Sequence, residues 1–309
     1  MTEAGLVWSR PSIMRVFVVG HDGQVARSIR EAAAACHDVV LECGRRPDVD
    51  LLRRGSLEIA VDRFQPDIIV NPAAYTAVDR AEAEPDLAFA VNRDGAADVA
   101  AMAARLNVPL IHLSTDYVFA GDKKGPYTED DPVGPQTVYG QSKLAGERMV
   151  LLNAPRAIIL RTAWVFAPFG GNFVRTMIRL SKERDRLRVV SDQIGCPTYA
   201  PDIAQSILMM ARQIVGSGWR DAYRGVTHLA GPDAVSWFDF AERIMQARAR
   251  LGQRHVPVEA IMTSDYPTPA KRPANSVLSS ARLSAVFGVT LPRLDQSLMD
   301  CFNRLAVGE

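Results

Sequence analysis

Short β-branched runs at residues 15–19, 39–43, 68–71, 110–114 and 158–161 alternate with alanine-rich stretches at 24–35, 57–64, 85–106 and 139–151. A strand covered by helices on both faces reads as a nearly continuous apolar run, because neither side of its pleat meets water. Each intervening stretch is long enough to form the right-handed crossover that joins parallel neighbours. The expected fold is therefore α/β, a Rossmann-like doubly wound parallel sheet over residues 14–165. Beyond residue 165 the alternation loosens into helices at 173–182, 201–214 and 237–247, the last capped by Ser236, with a strand at 226–229. Pro267, Pro269 and Pro273 exclude regular helix from the stretch 266–276. Residues 166–309 are expected to form mainly a smaller C-terminal lobe, with parts of that segment returning to the first domain. A chain of 309 residues suffices for both bodies.

Composition narrows the function classes. The formal net charge of +1 offers no bulk attraction to nucleic acid or to an anionic membrane, so neither is expected as a partner. No run of some 18 apolar residues suggests a membrane span. The first thirteen residues contain Glu3, Arg10 and Pro11 and do not read as a signal peptide; they are expected to form a flexible extension, and the protein is expected to be cytoplasmic. Cys36, Cys43, Cys196 and Cys301 are scattered, as expected of reduced thiols rather than of disulfides or a zinc site. No carboxylate cluster has ligand-like spacing, so no metal ligands are assigned.

Directly after the first apolar run comes Gly20-His21-Asp22-Gly23-Gln24-Val25-Ala26, followed by a helical stretch. Glycines at a strand-to-helix junction let the backbone approach a pyrophosphate, and the helix start offers unpaired N–H groups and a partial positive charge. Gly20, Gly23, Gln24 and Val25 are therefore candidate contacts for a dinucleotide. Where a carboxylate would bind the ribose diol after the second strand, Gly44-Arg45-Arg46 follows Glu42-Cys43. Arginine suits a 2′-phosphate, which points to NADPH through Arg45, with NADH left open. Asp50 and Leu51 just beyond join the candidate cofactor contacts. So do Ala73, Ala74 and Tyr75 after the third strand, where small side chains let a nicotinamide ribose lie against the backbone.

Ligands of open parallel sheets sit beyond the carboxyl ends of the strands, and the fourth strand ends in Ser114-Thr115-Asp116-Tyr117. Thr115 is placed to bind a carbonyl oxygen, and Asp116 to orient a sugar hydroxyl or tune a proton transfer. Tyr139 and Lys143 lie four residues apart, one helical turn on one face. A cation within reach favours the phenolate, so this spacing predicts a phenol tuned to donate a proton near neutral pH.

Several segments together resemble the extended short-chain dehydrogenase/reductases, and within them a branch acting on dTDP-sugars. The resemblance rests on Gly20-x-x-Gly23-Gln24-Val25, the stretch 73–79, the stretch 114–119, and Tyr139-Gly140-x-x-Lys143-x-x-Gly146-Glu147. It also rests on Arg161-Thr162-x-Trp164-Val165, Asp192-Gln193-x-Gly195-x-Pro197-Thr198 and Arg272-Pro273-x-Asn275-Ser276. Ala26 stands where many relatives carry glycine. The resemblance implies reduction of the C4 ketone of dTDP-4-dehydro-L-rhamnose to dTDP-L-rhamnose by hydride from NADPH. It implies Tyr139 as proton donor, Lys143 as its tuner and nicotinamide-ribose contact, Thr115 on the ketone oxygen with Asp116 beside it, and Trp164 against the sugar. It makes residues 166–309 mainly a substrate-binding lobe. Arg272 is the candidate for the substrate diphosphate, since a guanidinium forks onto phosphate oxygens. The resemblance also brings possible Mg2+ dependence and a possible homodimer. Dehydratases of this fold carry a glutamate where Tyr117 stands here, which argues against dehydration. A non-catalytic NADP-binding regulatory subunit, or another nucleotide-sugar reductase or epimerase, are the alternatives.

Overall fold

The computed structural model describes residues 13–53 and 55–308. The expected flexible extension therefore lies, apart from Ile13, outside the described residues. Five strands, β1 (Met14–Val19), β2 (Val39–Gly44), β3 (Ile68–Asn71), β4 (Leu110–Thr115) and β5 (Ala157–Thr162), are joined by a sixth, Gly225–His228, which pairs with β5. The spatial order is β2, β1, β3, β4, β5 and then Gly225–His228, and every pairing is parallel. Side chains of β1 show why the strands read as unbroken apolar runs. Val16 and Val18 enter the core on one face, and Phe17 and Val19 enter a second core on the other. Burying each such side chain contributes about 1.5–3 kcal/mol, so both faces hold the sheet.

Helix α1 (Gln24–Ala34) and the helix Ala200–Ser217 share the first of these cores, with Ile29, Ile203, Ile207 and Ala211 fully buried against the sheet. The helices Ser56–Phe64, Ala96–Arg105 and Val138–Asn153 cover the opposite face. The late chain thus returns to the first domain through both Ala200–Ser217 and the strand Gly225–His228. The smaller lobe has its own core, in which Phe166, Val174, Phe240, Ile244 and Phe302 are buried. It is built on the parallel pair Leu187–Val190 and Val258–Ile261 and on the helices Phe173–Glu183, Trp237–Arg250 and Leu294–Gly308. Ser236 caps Trp237–Arg250 in a capping box with Asp239.

One expected helix is interrupted. The stretch 85–106 forms Pro85–Phe89, a π-helical turn at Ala90–Gly95, and Ala96–Arg105. A π turn accommodates one extra residue, and such turns recur at functional sites. Here the turn carries Asn92, whose side-chain oxygen accepts from the Tyr75 N–H at 2.8 Å. Its amide nitrogen donates to the Tyr75 carbonyl at 3.1 Å and to Ser142 Oγ at 2.9 Å. These contacts join segments far apart in sequence, which local helical periodicity cannot register.

Candidate active site

A cleft of about 1410 Å³ runs along the carboxyl ends of β1 to β5, between the sheet domain and the lobe. At its floor β1 ends in Gly20, whose φ of +109° is open to glycine and costly for other residues. Gly23 precedes α1, whose N-terminus has no side-chain cap, so first-turn N–H groups are left for an anion. Arg45 stands at the end of β2, exposed on the rim, with its Nε 3.6 Å from an oxygen of Asp22. Gln24 reaches towards the lobe instead: its side-chain oxygen accepts from Asn172 Nδ2 at 3.0 Å. Val25, Asp50, Leu51, Ala73 and Ala74 line the same cleft. Leu51 packs against Gly95, where a Cβ would fall 2.8 Å from its own Cβ. Tyr75 contributes mainly backbone, clamped by Asn92, because its hydroxyl donates to Glu84 at 2.5 Å.

Beyond this floor the candidate reacting groups of β4 and the helix Val138–Asn153 converge. Tyr139 is buried, and its phenol is hydrogen-bonded with the Thr115 side chain. Thr115 Oγ1 also donates to Asp116 Oδ1 at 3.0 Å and accepts from the Tyr117 N–H at 3.2 Å. Asp116 is buried, and loss of water raises its pKa to about 6 against the opposing hydrogen bonds from Ser276 and Thr115. The one-turn spacing of Tyr139 and Lys143 places both side chains at the cleft, but the expected lowering of the phenol pKa is not what the geometry produces. Burial raises Tyr139 instead, with Asp116 and Tyr117 adding to the rise. The Lys143 ammonium donates to the Leu113 carbonyl at 2.6 Å, and burial brings its own pKa down to about 8. Spacing sets the face of a helix that a side chain leaves from; a long lysine stem then reaches the acceptor that tertiary packing offers.

On the lobe side Trp164 adopts φ +49°, a left-handed conformation rare for a bulky residue and often kept where function needs the side chain aimed. Its indole stacks on Trp237 at 3.4 Å between centroids and 8° between planes. Gly195 backs against it so closely that a Cβ there would lie 2.3 Å from the ring. Arg272 also reaches the cleft, but its Nη2 donates to Asp79 Oδ2 at 2.6 Å, and Asp79 also accepts from the Ala270 N–H at 3.1 Å. Tyr117 meets the Tyr139 ring edge-on at 5.5 Å. Its phenol is pushed up to about 12 by burial.

Every candidate residue read from the sequence thus borders one cleft. The sequence reading passed over Asn92, which holds the Tyr75 backbone and Ser142, and Trp237, which pins Trp164. It also passed over Asp79, which ties the proline-rich loop to the sheet domain. Asp79 stood inside a recognised motif and was legible there; Asn92 and Trp237 carried no local pattern. Among the described residues, no group of three or more His, Cys, Asp or Glu side chains is placed to hold a metal ion, and no helix is long and apolar enough to cross a membrane.

Known proteins resemble this chain over nearly its full length. The family described as RmlD substrate binding domain matches residues 14–307. The chain is 46% identical over 284 residues to a dTDP-4-dehydrorhamnose reductase of Sinorhizobium fredii, covering 92% of this chain and 95% of that protein. It is 43% identical to one of Aggregatibacter actinomycetemcomitans, covering 89% and 94%. Among solved structures, a dTDP-4-dehydrorhamnose reductase of Clostridium acetobutylicum superposes with a TM-score of 0.87 at 34% identity, over 95% of this chain and 100% of that one. One from Bacillus anthracis, in complex with NADP, superposes with a TM-score of 0.85 at 32% identity, over 94% and 99%.

Proposed function

The chain belongs to the RmlD substrate binding domain family of NADP-dependent oxidoreductases, and from that premise we propose that its cleft reduces the C4 ketone of dTDP-4-dehydro-L-rhamnose to dTDP-L-rhamnose, with Tyr139 as proton donor. The observation that carries this reading is the convergence of Tyr139, Thr115 and Lys143 at the end of β4, beside a glycine turn and an uncapped helix start. That turn fits a dinucleotide: Gly20 and Gly23 keep the backbone clear, and the first-turn N–H groups of α1 suit a pyrophosphate. NADPH bound there supplies the hydride. Thr115 Oγ1 and the Tyr139 phenol bind the ketone oxygen, and the phenol, kept protonated by burial, gives its proton to the oxygen as negative charge develops. Lys143, cationic below its pKa of about 8, stabilises the phenolate left behind and contacts the nicotinamide ribose. Trp164, immobilised by Trp237 and Gly195, forms the wall for the deoxysugar. Arg272 serves the diphosphate while Asp79 holds its guanidinium in place.

The purified chain should oxidise NADPH only when dTDP-4-dehydro-L-rhamnose is added, followed at the nicotinamide absorbance with dTDP-L-rhamnose identified as product. Tight NADPH binding with no turnover would overturn the enzymatic reading in favour of a regulatory binding subunit.

Arg45 makes the cofactor preference testable. Its guanidinium is the candidate partner of the 2′-phosphate, and a hydrogen bond to a charged group is worth about 1.5–3 kcal/mol. Arg45→Asp should therefore weaken NADPH binding about tenfold or more and leave NADH binding within a few-fold. Fluorescence titration of both nucleotides reads this out, and equal losses for the two would refute the assignment.

A further inference from the structure

Behind the reacting groups lies a buried charge pair that the reaction scheme does not use. Glu147 follows Lys143 by one helical turn and meets Arg161 of β5 in a bidentate pair, Nε to Oε1 at 2.9 Å and Nη2 to Oε2 at 2.7 Å. The side chains are 3% and 4% exposed. Removing two charges from water is expensive, and apolar residues of similar volume often serve stability as well or better. The position of the pair is therefore informative. Lys143 lies one turn before Glu147 on the same helix, buried, with its ammonium on the Leu113 carbonyl.

We infer that Glu147, held in place by Arg161, is a positioning residue whose carboxylate keeps Lys143 protonated at the pH at which Tyr139 must give up its proton. The inference rests on the assignment of Lys143 as the cation beside Tyr139. Other groups around Lys143 do not supply this charge. His112 on β4 is buried and held well below the usual imidazole range, so it is neutral, with its Nδ1 on the Asn71 side-chain amide at 3.1 Å. Asp116 accepts from Thr115 Oγ1 at 3.0 Å, and burial raises its carboxyl to about 6. Arg161 carries the opposite charge to Glu147 and is engaged by it, with both guanidinium contacts made to the Glu147 carboxylate. For Lys143 the two named influences have opposite signs: burial lowers its pKa, and the Glu147 charge raises it.

The sign of the consequence follows. Lys143 acts as a cation, so turnover is lost as pH rises through its pKa. Removing the carboxylate lowers that pKa and moves the loss to lower pH. Glu147→Gln should shift the basic limb of the kcat profile down by about one pH unit, since a nearby buried charge commonly moves a pKa by 1–3 units. Because breaking half of a buried pair can prevent folding, the double variant Glu147→Met/Arg161→Met supplies the same test with the pair replaced by apolar volume. NADPH affinity by fluorescence and Tm are measured alongside. A purely structural role would change Tm and leave the limb where it is, and an unmoved limb in either folded variant overturns the inference. Lys143→Ala separates the two assignments. An active Lys143→Ala variant refutes the role of Lys143 and the inference with it, whereas an inactive one with an unmoved Glu147→Gln limb refutes Glu147 alone.

Discussion

Tyr139→Phe should lower kcat for reduction of dTDP-4-dehydro-L-rhamnose by about 10²- to 10⁴-fold, the usual contribution of a positioned acid. The substitution is narrow. Phenylalanine keeps the ring that fills the buried site and its edge-on contact with Tyr117, and loses only the hydroxyl and its hydrogen bond with Thr115. One neutral hydrogen bond contributes about 1 kcal/mol, so the variant should fold, with Tm little changed and NADPH affinity within a few-fold of the parent. Single-turnover measurement of the hydride step isolates the chemistry from product release. A variant within about threefold of the parent would assign the proton to another donor, with Asp116, raised to about 6, the next group to test.

A second large effect is expected from a methyl group. Gly146 lies in the helix that carries Tyr139 and Lys143, and a Cβ there would fall 2.0 Å from the Asn92 carbonyl oxygen. The obstacle is backbone and cannot rotate aside, so Gly146→Ala must push the helix away from the π turn. Overpacking of this kind costs about 1–3 kcal/mol. With an unfolding entropy of about 2.1 cal/mol/K per residue, each kcal/mol lowers the Tm of a 309-residue chain by about 1.5 °C. The same displacement stretches the Asn92–Ser142 hydrogen bond and shifts Tyr139, so kcat should fall together with Tm. Gly216→Ala is the control. Gly216 sits in the helix Ala200–Ser217 with nothing within 4 Å of its added Cβ. Alanine there should be neutral or stabilise by up to about 1 kcal/mol through helix propensity alone. Equal losses in both variants would attribute the Gly146 effect to something other than the contact with Asn92.

These two sites differ in how legible they were. Tyr139 and Lys143 announced themselves by spacing, because helical periodicity is local and a short motif carries it. The glycine turn after β1 was equally plain, since a positive φ and an uncapped helix start are properties of consecutive residues. The partners of those residues were not legible. Lys143 meets the Leu113 carbonyl rather than the Tyr139 phenol, and Asn92 reaches across to Tyr75 and Ser142. Trp164 is pinned by Trp237, well over half a hundred residues further along the chain.

By itself the sequence determined the parallel sheet, the order of its strands and helices along the chain, the glycine turn after β1 and the shared helix face of Tyr139 and Lys143. Each follows from patterns a few residues long: apolar runs buried on two faces, glycines where backbone must approach a ligand, and a one-turn repeat. Tertiary structure alone decided how those groups are held and charged. Burial raises Tyr139 and Asp116 and lowers Lys143, and the Glu147–Arg161 pair is buried one helical turn from that lysine. Desolvation and electrostatic fields depend on what surrounds a group in space, and that environment exists only once distant segments have packed.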